Sequence, residues 1–132
     1  VDSEGAAGST YTTLDFTNTG STTCSLYGYP GVSLAAGDPV AQVGAAASRS
    51  TMDSPSVVHL APGKTANALL RITQALNYPK TTCSPSDTAF LRIYPPGETS
   101  SILLSYKSMG CAKTAVVLLT IGVVQAGATS SQ

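Results

Sequence analysis

Apolar and polar residues alternate with a period of two along most of this chain, and the three-to-four residue spacing of an amphipathic helix is nearly absent. In "YTTLDFT" the residues Thr12, Leu14 and Phe16 share one face of an extended segment, while Tyr11, Thr13, Asp15 and Thr17 share the other; "NTG" then supplies a turn. A second strand starts near Cys24 and passes Leu26 before the "YPG" corner, and "VSLAA" resumes after it. Residues 37–55 are rich in Ala and Ser, with few apolar anchors, and read as a long loop or a weak edge strand.

"SVVHL" is a short strand, and "APGK" is a turn with Pro second and Gly third, as a type II turn requires. In "TANALLRIT" Ala66, Ala68, Leu70 and Ile72 fall on one face. Residues 74–89 form a second loop, broken by two prolines, with a helical turn expected near Asp87. "FLRIYPPGE" is a strand running into a rigid corner, "SILLSYK" is another strand, and "AVVLLTIGVV" over residues 115–124 is a final core strand. That last run has about half the roughly 20 residues a membrane-spanning helix needs and is rich in β-branched residues. Seven or eight strands with turn signals about every 8 to 12 residues predict an all-β antiparallel sandwich.

The domain is expected over residues 10–126, between an N-terminal tail at 1–9 and a C-terminal tail at 127–132 that are small, polar and aperiodic. A chain of 132 residues suits one domain with one core. Charged residues make up 11% and cancel in net charge, while Ser and Thr occupy 34 positions, so hydroxyls solvate the surface. Lys64, Arg71, Lys80, Arg92, Lys107 and Lys113 are scattered singly, which argues against a nucleic-acid partner and against a basic membrane-surface helix. No initiator Met and no leader-like segment opens the chain, which is compatible with a processed envelope protein and does not indicate a cytosolic one.

Three cysteines allow one internal bridge and leave one thiol over. Cys83 and Cys111 flank an expected hairpin, and their pairing is favoured over either pairing with Cys24. Cys24 is then a free thiol, expected half-buried beside Leu26. There is no CxxC spacing and one histidine, so no metal site is expected.

His59 is the sole histidine and alternates with Val58 and Leu60 as a structural strand residue would. No G-x-S-x-G elbow occurs, and Asp15, Asp38, Asp53, Asp87 and Glu98 stand apart. The expectation is therefore no enzymatic activity and no cofactor.

"YTTLDFTNTGSTTCSLYGYPGVSL", "HLAPGKTANALLRI" and "TTCSPSDTAFLRIYPPGE", followed by a last Cys before the terminal strand, resemble in that order an actinobacterial domain of unknown function, secreted or borne on lipoproteins. The resemblance covers roughly residues 10 to 125. It implies an extracytoplasmic setting, an immunoglobulin-like sandwich, an oxidised cysteine pair and no established activity.

Two functions remain open at this level. One is a binding module, monomeric and displayed in the cell envelope or secreted, whose partner is a protein or a cell-wall glycan; Tyr27, Tyr29, Tyr78 and Tyr94, with Pro95 and Pro96, sit at Gly/Pro corners where rigid aromatics can form its surface. The alternative is a secreted inhibitor of an extracellular hydrolase such as a protease, inserting a Pro-braced loop such as "RIYPPGETS" or "YPKTTCSPS" into a cleft.

Overall fold

In the computed structural model, which describes residues 4–6, 9–51, 54–97 and 100–127, the alternating segments become strands. In chain order these are β1 (Glu4–Ala6), β2 (Ser9–Thr17), β3 (Cys24–Tyr27), β4 (Gly31–Ala36), β5 (Ala41–Val43) and β6 (Ser48–Arg49). They continue as β7 (Val57–Leu60), β8 (Thr65–Thr73), β9 (Pro85–Tyr94), β10 (Ile102–Cys111), β11 (Leu119–Ile121) and β12 (Gln125–Ala126). The helical content described is one 3-10 turn at Ala75–Asn77 and one turn of helix, α1, at Lys80–Cys83.

The molecule is thus mostly β, in three sheets. A six-stranded sheet runs β1-β2-β8-β11-β6, with β12 also on β8; a four-stranded sheet runs β10-β9-β4-β5; and β3 with β7 makes a two-stranded ribbon. β8 is the spine of the largest sheet. β2 pairs with it from Ser9↔Thr73 to Thr17↔Thr65. β11 takes the end of the opposite edge at Leu70–Ile72, and β12 takes its start at Ala66 and Asn67. A hydrogen bond from the Gly122 amide to the Leu69 carbonyl (2.9 Å) bridges the two short strands.

Period-two patterning directs the apolar faces of all three sheets into one buried cluster. Leu14 of β2, Val32 and Leu34 of β4, Leu60 of β7, Leu70 of β8, Leu91 of β9 and Ile121 of β11 belong to it. The faces expected for β2 and β8 are the faces buried: Thr12 and Leu14 on one, Ala66, Ala68, Leu70 and Ile72 on the other. A second cluster gathers Ala75, Cys83, Cys111, Val116 and Leu118, with Tyr78 and Met109 packed on it.

Four expectations need adjustment. Residues 37–55 hold two short edge strands, β5 in one sheet and β6 in another, and the chain changes sheets at Gly44 (φ 75°), where a Cβ would collide with the Cys111 carbonyl. Asp87 lies inside β9, whereas the helical turn comes earlier: Pro79 precedes it and Ser84, at φ 54°, ends it. The run at 115–124 is no single strand, because Val116 and Leu118 are drawn into the second cluster while Leu119 and Ile121 face the first. Finally, the described strands number twelve, the excess being pieces of two to four residues. The turn at residues 61–64 is as expected, with Gly63 at φ 82° and Lys64 N–H donating to the Ala61 carbonyl at 3.0 Å. Of the N-terminal tail expected over 1–9, Glu4–Ala6 pair with β2; the C-terminal tail lies outside the described residues beyond Gly127.

Candidate functional site

Strand alternation sorts the β3–β7 ribbon into two faces. Leu26, Val58 and Leu60 turn inward, Leu26 packed against the main cluster and the other two buried within it. Ser25, Tyr27, Val57 and His59 occupy the opposite face, where the register sets Ser25 across from His59 and Tyr27 across from Val57. Tyr27 retains 61% of its surface and Val57 52%, so this cross-strand pair stands in water. Ser25 Oγ lies 3.1 Å from His59 Nδ1. Beside the pair runs an open groove of about 580 Å³, lined by Ser54, Ser56, Val57, His59 and, from the other wall, Val123 to Ala126.

The face carries an aromatic ring, a branched aliphatic side chain, hydroxyls and an imidazole, with no charged side chain in the groove lining. Such a surface binds by stacking, apolar contact and neutral hydrogen bonds. Among the described residues no carboxylate hydrogen-bonds to His59; a serine–histidine pair working as nucleophile and base calls for such a third group to orient the imidazole. No group of three or more His, Cys, Asp or Glu side chains is placed to hold a metal ion among the described residues. Asp53 and Glu98 lie outside them.

The other aromatic candidates are committed to structure. Tyr29 packs on the main cluster, its hydroxyl donates to the Ser50 carbonyl at 2.6 Å, and the Arg49 guanidinium sits 5.1 Å above its ring. Tyr78 packs on the second cluster. Tyr94 lies across from Gly31, where its ring stands against the space a Cβ would take. Pro95 is half-buried and Pro96 buried, so the Pro-Pro corner packs inward. Tyr27 alone of these tyrosines is exposed.

Cys83 and Cys111 form a disulfide across 28 residues, with Cα atoms 4.6 Å apart. It pins the exposed turn at residues 79–82 to the end of β10, and Lys113 Nζ donates to the Thr81 carbonyl at 2.6 Å from the same side. Disulfides persist in oxidising compartments, so this bond indicates an extracytoplasmic setting. Among the described residues no helix is long and apolar enough to cross a membrane. Cys24 is a free, exposed thiol rather than the half-buried one expected, because it begins a strand that, among the described residues, pairs with β7 alone.

Exposed apolar residues that sequence patterning did not single out are Val57, Leu69, Leu76, Ile102, Leu103 and Val117. For Val57 a signal existed, since it shares a strand face with the polar His59. Leu76 borders a smaller groove with Tyr106 and Met109, between the 3-10 turn and β10.

The family model described as "Domain of unknown function (DUF4232)" matches residues 1–125. Comparison with curated proteins and with solved structures finds no match.

Proposed function

We propose, for a chain that belongs to the DUF4232 family of domains of unknown function, a non-enzymatic binding module of the extracytoplasmic space. Its partner, a protein or a cell-wall glycan, is engaged through the outer face of the β3–β7 ribbon. The exposure of Tyr27 beside Val57 carries this reading: a tyrosine with most of its ring in water gains nothing for the fold there, whereas covering a large apolar side chain contributes about 1.5–3 kcal/mol to association. The proposal includes two further points: the three sheets belong to an immunoglobulin-like sandwich, and the host is a bacterium of the actinobacterial kind, where the domain is secreted or carried on a lipoprotein. One core fed by all three sheets supports the first; the disulfide is consistent with the second.

The test is capture from culture supernatant and cell-wall extract on immobilised domain, comparing wild type with Tyr27→Ser and Val57→Ser. Retention of one protein or glycan that drops at least tenfold in both variants is expected. Retention equal in all three forms rules out this face.

A second reading, the secreted hydrolase inhibitor, rests on the turn at residues 79–82, which is exposed and anchored by Cys83. A protruding segment held by a disulfide loses little freedom on entering a cleft. Inhibition of an extracellular protease that disappears with Lys80→Glu but survives Tyr27→Ser would select it.

A further inference from the structure

The four-stranded sheet ends at β10, whose ladder among the described residues is with β9 alone. An outer strand of ten residues presents a row of backbone donors and acceptors that can template another strand, and natural sheets blunt such edges with bulges and with charged side chains, Lys above all. The second half of β10 has both devices. Its register shifts between Ser105 and Ser108, so Tyr106 and Lys107 oppose the single residue Ala89, and Lys107 is exposed. That half also faces the 3-10 turn, with which Tyr106, Ser108 and Met109 line a common groove.

The first half has neither. From Ile102↔Ile93 to Ser105↔Phe90 the register is regular, and Ile102 and Leu103 are 56% and 43% exposed, one toward each face of the sheet. We infer that residues 102–105 of β10 are an interface on which a second copy of this chain pairs antiparallel, edge to edge, joining two four-stranded sheets into one.

The charge pattern selects the occupant. Residues 100–106 carry no charge. With the two-fold axis at Leu103, Leu103 stands opposite Leu103 of the second copy, Ile102 opposite its Leu104, Ser101 opposite its Ser105 and Ser100 opposite its Tyr106, each pair on one face of the joined sheet. No like charges meet, and the largest apolar residues meet at the axis. A parallel arrangement would instead set the two Lys107 ammonium groups side by side, which destabilises a ladder. The antiparallel joint is also isologous, so it closes at two copies rather than growing.

Four residues per copy bury less than the roughly 1,200 Å² of a stable complex, so the association is weak and reversible. The surface lies on a different sheet from the ribbon face, so the two proposals stand or fall separately.

Sedimentation equilibrium from about 10 µM to about 1 mM tests it. The mean mass should climb from 13.3 kDa toward twice that value, and amide exchange should slow at residues 102–105 over the same range. Leu103→Lys, which brings two cations to the axis, and Ile102→Lys should each weaken association at least tenfold while leaving the far-UV circular dichroism unchanged. A chain monomeric at about 1 mM overturns the inference. So does a dimer indifferent to both substitutions, or one whose exchange protection falls on another strand. Capture of an unrelated extended peptide by β10 without self-association also overturns it.

Discussion

The side-chain amide of Asn18 donates to the carbonyl of Leu60 at 2.8 Å, across 42 residues of chain, and at the same distance to the carbonyl of Thr22. Its Oδ1 accepts from the Gly20 amide at 2.9 Å. Its own backbone exchanges bonds with Lys64 and Gly63. One buried residue therefore ties the end of β2, the loop after it, the end of β7 and the turn into β8.

Replacing Asn18 with Ala should cost about 2–3 kcal/mol, since three side-chain bonds are lost and the buried Leu60 carbonyl loses this donor. Asn18→Asp keeps the acceptor for Gly20 but sets an oxygen against two carbonyls, and should be at least as damaging. The urea midpoints of the two variants measure both costs.

At Gly44 two penalties coincide. The backbone is at φ 75°, and a methyl group there would collide with the Cys111 carbonyl. Gly44→Ala should destabilise by more than about 2 kcal/mol, beyond the penalty for a left-handed backbone alone, whereas Gly63→Ala, with open space around its Cβ, should lose only the conformational part. Parallel thermal melts separate the two.

Breaking the Cys83–Cys111 bond by the double Ala substitution should lower stability by about 3.5 kcal/mol, by the chain-entropy relation for a loop of this length. Alkylation of the native protein should add one label, at exposed Cys24; alkylation after unfolding in reductant should add three. Intact mass reads both outcomes.

Thr12 Oγ1 is buried and has no hydrogen-bond partner among the described residues. Thr12→Val keeps the shape and removes the desolvated hydroxyl, so it should stabilise the fold by up to about 1 kcal/mol. A lowered urea midpoint would show that the hydroxyl has a partner in solution.

Tyr27→Ser should shift stability by no more than about 0.5 kcal/mol, because the ring is mostly exposed. A larger loss on denaturation would mean that the ring supports the fold, and would weaken the case for it as a binding residue.

The buried faces of β2 and β8, the Gly63 turn and the favoured cysteine pair are legible because each has a local signal: alternation, a Pro-Gly dipeptide, two cysteines flanking a hairpin. From the sequence Asn18 reads only as part of a turn, since its Leu60 partner is 42 residues away. The tyrosines were equally opaque, because an aromatic ring beside a Gly/Pro corner can cap a core or project from it. For Tyr29 the decision falls to a carbonyl 21 residues away. The run at 115–124 misled because unbroken apolar character reports burial and not which of two clusters does the burying.

β8 has a full-length neighbour on one side, but the other side is completed piecewise by β11 and β12, almost at the limit of the described chain. A nascent polypeptide emerging vectorially, from ribosome or export channel, must therefore keep its central ladder half-dressed until residue 126 arrives. The domain closes like a lid fitted last, and a truncation upstream of Leu119 leaves one whole edge of β8 bare, with β2 alone beside it.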